Sequence, residues 1–369
     1  MPADDCGRMS TAPQSPFAHI TPNWFAVAMG TGIVSVAAGS LESELTQLKV
    51  VAEVFWLLGV TVLLCLVSAF SAHWSKHRVQ ALTYLRTPAM FPFYGAVAMA
   101  FLTVGSATGI TGPTFLGTDV AIAVSTTLWT AGTALGLITY AVMVQRLLRH
   151  GGAAAAMPFW LLPVVPPMVS ASTGAAVYAH LGDGVTRTAM LTFCYALFAL
   201  ALIAAVGILV AVLRQFARNR AAGGAMIPRN AIPTLWIPLG VIGQSVAASN
   251  LLAAAAHHTM SDPHAEVLRS FGIVYGSVVG SIGAVAFVAV TVVTVAALRG
   301  GLDFSLGWWS FTFPIGACAV GAGAFAAATD SLLIEIVAVA LLSVLIPVWA
   351  TVAVRTVASI RSGALPAAA

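Results

Sequence analysis

The stretch 305–316, SLGWWSFTFPIG, gathers hydroxyls, aromatic rings, a proline and a glycine in an otherwise apolar span. At helical spacing Ser310, Phe313, Ala317 and Ala324 share one stripe, a single bulky ring among small residues. Phe304, Trp308, Phe311 and Ile315 form a second stripe that is bulky throughout and suited to packing. If the small stripe faces an axis, Phe313 is the only large group in it and closes the path by steric block or dewetting. An aromatic core contact beside a proline uses the same spacing. Comparable stripes occur at Thr31 and Ser35, at Gly95, Met99 and Thr103, at Ser170 and Gly174, and at Gly240 and Gln244. Gln244 and Ser170 are the strongest polar candidates for touching an anion. No Asp, Glu, Lys or Arg lies in these apolar stretches, so they spell neither a carboxylate ring for cations nor a proton relay. Hydroxyls, an amide and backbone dipoles point instead to weak, reversible contact with anions.

Such groups need elements that hold them at membrane depth. The chain is 59% hydrophobic and 8% charged, against roughly 25% charged in a soluble protein. Apolar runs reach the ~20 residues a helix needs to cross a bilayer, and the alternating segments of a β-barrel are missing. An all-α polytopic membrane protein follows. Cutting at polar and turn-rich segments predicts ten spans, at 22–40, 50–71, 88–108, 119–145, 158–180, 187–213, 232–256, 266–298, 305–328 and 331–358. Odd spans begin or break at proline and carry the small polar patches, with helix kinks expected at Pro92, Pro167, Pro238 and Pro314. Even spans are plain apolar helices containing one proline, Pro347. The alternation reads as five helical hairpins in degenerate repeat. Broken helices free backbone groups, which lipid does not tolerate. The odd helices therefore belong around a central pore, with the even helices outside.

Of the 16 Lys and Arg residues, all but Lys49, Arg187 and Arg269 fall on one side of this topology. Cytoplasmic loops hold such an excess, which puts both termini in the cytoplasm. A cytoplasmic tail is expected over 1–21, a transport domain over 22–358 and a second tail over 359–369. No signal peptide is seen at the N-terminus. Five parallel inner helices aim their positive dipole ends at the cytoplasmic mouth, where anions would gather. The net charge of +4 comes from loop residues and implies no nucleic acid. Cys6, Cys65, Cys194 and Cys318 stand apart and read as small hydrophobes. No cofactor or nucleotide fingerprint occurs.

The segments PNWFAVAMGTGIVSVA, PLGVIGQSV and FSLGWWSFTFPIGACA resemble the tellurite-resistance/dicarboxylate transporter family, over about residues 16 to 358. That family embraces bacterial tellurite-resistance proteins, fungal malate and sulfite transporters and plant slow anion channels. The resemblance implies a ten-helix, five-hairpin bundle with a pore in each subunit, a homotrimer in the cell membrane, and a ninth-helix phenylalanine that occludes the pore. By motif position that residue is Phe313, and a two-residue slip would make it Phe311. The resemblance leaves the anion open among chloride, nitrate, sulfite and malate, and channel open against proton-coupled carrier.

A proton-coupled C4-dicarboxylate carrier is the competing transport reading, and it would want a cationic site at mid-depth that the odd spans lack. A membrane metal protein or enzyme would draw on HHTMSDPH, with His257, His258, Asp262 and His264, joined by His180. Adjacent histidines point about 100° apart on a helix, so this spacing specifies no ligand geometry and no metal is expected. Glu53 and Glu335, on even spans, are expected near the outer interface.

Overall fold

A computed structural model describes residues 20–41, 47–150, 155–182, 184–257 and 260–363. Most of both expected tails lies outside the described residues. Those described form helices and connecting turns, with no strand among them, as expected where each backbone group must find its partner within its own segment. Among the described residues twelve α-helices run in order. They are α1 (Phe25–Ser40), α2 (Leu48–Lys76), α3 (Arg78–Arg86), α4 (Tyr94–Thr111), α5 (Pro113–Leu116), α6 (Thr118–His150), α7 (Pro166–Ala179), α8 (Val185–Ala221), α9 (Ile237–Ala256), α10 (Asp262–Arg299), α11 (Thr312–Thr329) and α12 (Leu332–Arg361).

Among the described residues, eight helical segments are long and apolar enough to cross a membrane. The expected ten is not reached by that measure: the first and fifth spans are absent from it, and they carry the two shortest inner α-helices, of 16 and 14 residues. Proline is the reason. Each of the five odd segments opens with a 3₁₀ stretch: Pro22–Trp24, Phe91–Phe93, Pro158–Leu161, Arg229–Trp236 and Leu306–Phe311. The prolines expected to kink helix interiors sit at these junctions instead. Pro92 lies in a 3₁₀ turn, Pro167 and Pro238 in the first turns of α7 and α9, and Pro314 third in α11. First-turn N–H groups have no intrahelical acceptor, so proline there avoids the ~3 kcal/mol of an interior break. Pro347 is interior, in α12. The expected loop at 72–87 is also helical, because no glycine or proline interrupts the chain between α2 and Pro88.

Each short helix packs on the long helix that follows it: α1 on α2, α4 on α6, α7 on α8, α9 on α10 and α11 on α12. The short helices also contact one another in a closed cycle, α1–α4–α7–α9–α11–α1. The apolar windows of α4, α9 and α11 are at least 61% buried, whereas those of the five long helices are at most 33% buried. The short helices are thus the inner layer.

Five tryptophans bind the layers, each donating its indole N–H; four of their rings are buried and that of Trp349 is half-buried. Trp56 on α2 donates to Thr108 of α4 (3.1 Å), Trp129 on α6 to the Ser170 carbonyl of α7 (3.0 Å) and Trp349 on α12 to Thr31 of α1 (3.0 Å). Trp236 and Trp309, in the lead-ins to α9 and α11, donate to Thr294 of α10 (2.9 Å) and Thr356 of α12 (3.1 Å). Within the inner layer, small residues let backbones touch. A Cβ on Gly243 of α9 would overlap the backbone of Ala317 and Cys318 on α11, and one on Gly95 would overlap the Leu162 carbonyl.

Candidate functional site

Two cavities lie inside the ring, each lined from all five short helices or their lead-ins. The wider, about 640 Å³, sits toward the C-terminal ends, with Ile33, Thr103, Val169, Gln244 and Val320 at its inner limit. The narrower, about 30 Å³, sits toward the N-terminal ends, with Met29, Met99, Val165, Gly240 and Phe313 in its wall. Four of the five helices pass from one cavity to the other over four residues: Met29 to Ile33, Met99 to Thr103, Val165 to Val169 and Gly240 to Gln244. Four residues are about 6 Å of helix rise, so one turn of mostly apolar side chains separates the two spaces.

Phe313 projects from the first turn of α11, with 3% of its surface exposed. Its ring lies against α9, where a Cβ on Gly240 would be 3.6 Å from Cδ1. The residues around it are held firmly. Thr312 Oγ1 donates to the Trp309 carbonyl (2.9 Å), Trp309 is bonded to Thr356, and Pro314 follows. Phe311 is placed elsewhere, in an aromatic group with Trp236 (5.8 Å, edge-to-face) and Trp308 (5.7 Å). It is not among the residues lining either cavity.

Met99, Thr103, Gly240, Gln244 and Ser310 join Phe313 in the cavity walls. The remaining expected lining residues turn toward neighbouring helices. Thr31 accepts from Trp349 and donates to the Val27 carbonyl (2.7 Å). Ser35 donates to the Ala52 carbonyl of α2 (2.8 Å), and Ser170 accepts from Thr133 of α6 (2.9 Å). Gly174 faces Cys194 of α8, Gly95 meets Leu162, and Ala317 meets Gly243. A helix buried on both sides needs hydroxyls and small residues for its outer neighbours too, so polarity alone does not tell which stripe faces the axis.

Several cavity residues escaped sequence reasoning. Ser172 donates to Gln244 Oε1 (2.7 Å), which joins α7 to α9 and leaves the glutamine's amide nitrogen as the donor at the wide cavity's wall. Ser172 lies two positions from Ser170 in the same polar patch, on another face. Tyr178, Ser106 and Arg187 also line the wide cavity. Arg187 belongs to a long helix, and its one signal in the sequence is membership of the three basic residues on the sparsely charged side.

At the opposite end, arginines hold the lead-ins. Arg146 lies 3.9 Å from the Phe91 ring centroid and donates to the Leu85 carbonyl (2.8 Å). Arg355 lies 5.3 Å from the Trp308 ring centroid, and Arg229 donates to the Gly300 carbonyl. The first N–H of α1, α4 and α11 donates back into its own 3₁₀ lead-in. An approaching anion would meet the helix dipoles more than bare N–H groups. At the far end of α9, His264 Nδ1 lies 2.8 Å from Ser261 Oγ. His258 and the Asp262 side chain lie outside the described residues. Among the described residues no three His, Cys, Asp or Glu side chains come together to hold a metal.

The sequence matches the family described as voltage-dependent anion channel, SLAC1, over residues 19–357. The chain belongs to the SLAC1 family. Among its relatives, a sulfite efflux pump of Trichophyton rubrum is 26% identical over 304 residues, 80% of this chain and 78% of that protein. The corresponding pump of Arthroderma benhamiae has the same identity and coverage. An uncharacterized transporter of Methanocaldococcus jannaschii is 24% identical over 306 residues, 81% of each chain. This SLAC1-family protein is accordingly a multi-pass membrane protein of an anion-transporting family.

Proposed function

We propose that this SLAC1-family protein passes small anions across the cell membrane along the axis of its five short helices, with Phe313 as the gate. The observation that carries the reading is the pair of axial cavities, the narrow one walled by Met29, Met99, Val165, Gly240 and Phe313 and lying one helical turn from the wide one. A largely apolar neck into which the Phe313 ring is set suits gating by block or dewetting. Walls of hydroxyl, amide and backbone groups suit weak contact that lets the ion leave. Ten helices cross the bilayer in this reading, as five hairpins, the prolines having shortened α1 and α7 without removing them from the inner layer. The lead-in ends and both termini are cytoplasmic, in keeping with the basic residues gathered there. Assembly as a homotrimer completes the proposal.

The sulfite pumps among the relatives favour sulfite as the anion, with chloride and nitrate as the simpler alternatives. The absence of a charged side chain in the neck speaks against C4-dicarboxylates, and no catalytic role is assigned. The test is flux into proteoliposomes with chloride, nitrate, sulfite and malate compared side by side, with and without a pH gradient. Flux of one or more small anions, with malate slowest, is the expected result. Selective malate uptake driven by the pH gradient would replace the proposal with a proton-coupled carrier, and no flux of any anion would end it.

A further inference from the structure

Several hydroxyls of the wide cavity's wall turn their protons away from it. Thr103 of α4 donates to the Met99 carbonyl (2.6 Å), Thr173 of α7 to the Val169 carbonyl (2.7 Å) and Ser40 of α1 to the Ala37 carbonyl (3.0 Å). All three line the cavity. Each bond closes within the residue's own helix, and a hydroxyl whose one proton is used there offers lone pairs to anything else that reaches it. Ser172 is engaged in the same way, between the Val169 carbonyl (3.0 Å) and Gln244 Oε1 (2.7 Å). The second of these bonds takes the acceptor end of the Gln244 amide and leaves its nitrogen as a donor at the wall.

The inner limit of the cavity therefore pairs acceptors with a donor. Thr103 and Gln244 both stand there, each four residues beyond a residue of the narrow cavity's wall, Met99 and Gly240. Thr173 lies one further turn along α7 from Val169. The Thr103 side chain is fixed as well as bonded, because its methyl packs on α1, 3.1 Å from where a Cβ on Gly32 would be. An anion without a hydrogen meets lone pair against lone pair at these threonines, or must pull a hydroxyl off its carbonyl. An oxyanion that keeps a proton can donate its O–H to a threonine oxygen while another of its oxygens accepts from the Gln244 amide.

We infer that the wide end of the pathway selects singly protonated oxyanions, hydrogensulfite among them, over anions of the same charge that carry no hydrogen. Thr103 and Thr173 are the acceptors of the anion's proton, and Gln244 is the donor to its oxygen. The inference rests on the transport reading above and narrows its anion. Charge attracts both kinds of anion alike, so the choice between them falls to these hydrogen bonds. A polar site rejects a ligand that leaves its groups unpaired more strongly than it rewards one that fits.

Nitrate and hydrogencarbonate are the probes, because both are flat, singly charged and built on three oxygens, and they differ in one proton. Relative permeability is read from bi-ionic reversal potentials in planar bilayers for wild type, Thr103→Val, Thr173→Val and Thr103→Ser. Each valine removes an acceptor and keeps the branched shape, and should lower the hydrogencarbonate-to-nitrate ratio roughly fivefold, the loss of one hydrogen bond. Thr103→Ser keeps the oxygen and should hold the wild-type ratio. A second measurement needs no variant. At constant total sulfite, the wild-type sulfite current divided by the nitrate current at the same pH should fall as alkali strips the proton, the division removing titration of the protein itself. An unchanged permeability ratio in both valine variants overturns the inference and leaves transport standing, as does a normalised sulfite current that grows with pH. A wild type that conducts no anion overturns the transport reading and this inference with it.

Discussion

Replacing Phe313 by alanine removes a large ring from a neck that already has little room. The narrow cavity of about 30 Å³ has room for only a few waters. Deleting the ring opens on the order of 100 Å³, space for roughly three more waters. An ion stripped of water among Met29, Met99 and Val165 is costly, by several kcal/mol even after relaxation. If the added waters recover about 2 kcal/mol of that cost, flux rises roughly thirtyfold, since 1.36 kcal/mol is a factor of ten in rate. The measurement is initial anion flux in proteoliposomes, normalised to reconstituted protein. Thermal unfolding runs beside it, because truncating a core phenylalanine costs about 3–5 kcal/mol where the hole stays dry. Phe311→Ala is the control. It empties a comparable volume in the Trp236–Trp308 group and should lower the melting temperature without raising flux. Wild-type flux from a folded Phe313→Ala, or an equal gain from Phe311→Ala, would refute the gate.

Gly240 faces the same ring, and a bulky side chain there should refill the space, so Gly240→Leu in the Phe313→Ala background is expected to return flux toward wild type. Gln244→Leu removes the amide at the wide cavity's wall and, with it, the bond from Ser172, so it should lower flux several-fold and also lower the melting temperature by the equivalent of about 1 kcal/mol, measured by the same two assays. Trp349→Phe loses the indole bond to Thr31 at a cost of about 1 kcal/mol, visible as a lower melting temperature with flux retained. Gly243→Ala forces a methyl into the α11 backbone, so the inner layer must part; loss of the monodisperse peak in detergent chromatography is the expected outcome.

How much was legible in advance follows from what each kind of signal needs. Hydropathy and the alternation of proline-rich with plain segments are local properties. They suffice to separate the inner helices from the outer ones, because irregular backbone survives in lipid only against protein or water. The lead-in prolines were legible as interruptions. That they would sit in first turns and not bend helix interiors depended on where the hydrogen-bond ladder began. The choice of face was not local at all. Ser35 and Ser170 are as polar as Ser172, yet the Ala52 carbonyl and Thr133 claim the first two from α2 and α6.

The amino-acid sequence by itself determined the class of molecule, its segments, the bias of its charges and the lone ring of Phe313 among small neighbours. Tertiary structure alone decided which stripe of each helix turns inward, that Gly240 lies beside that ring, and that Arg187, borne by an outer helix, reaches the wide cavity. The physical reason is rotation. Inner helices buried on every side carry almost no amphipathic asymmetry, so their orientation is set by tryptophan bonds and glycine contacts to helices distant in the chain.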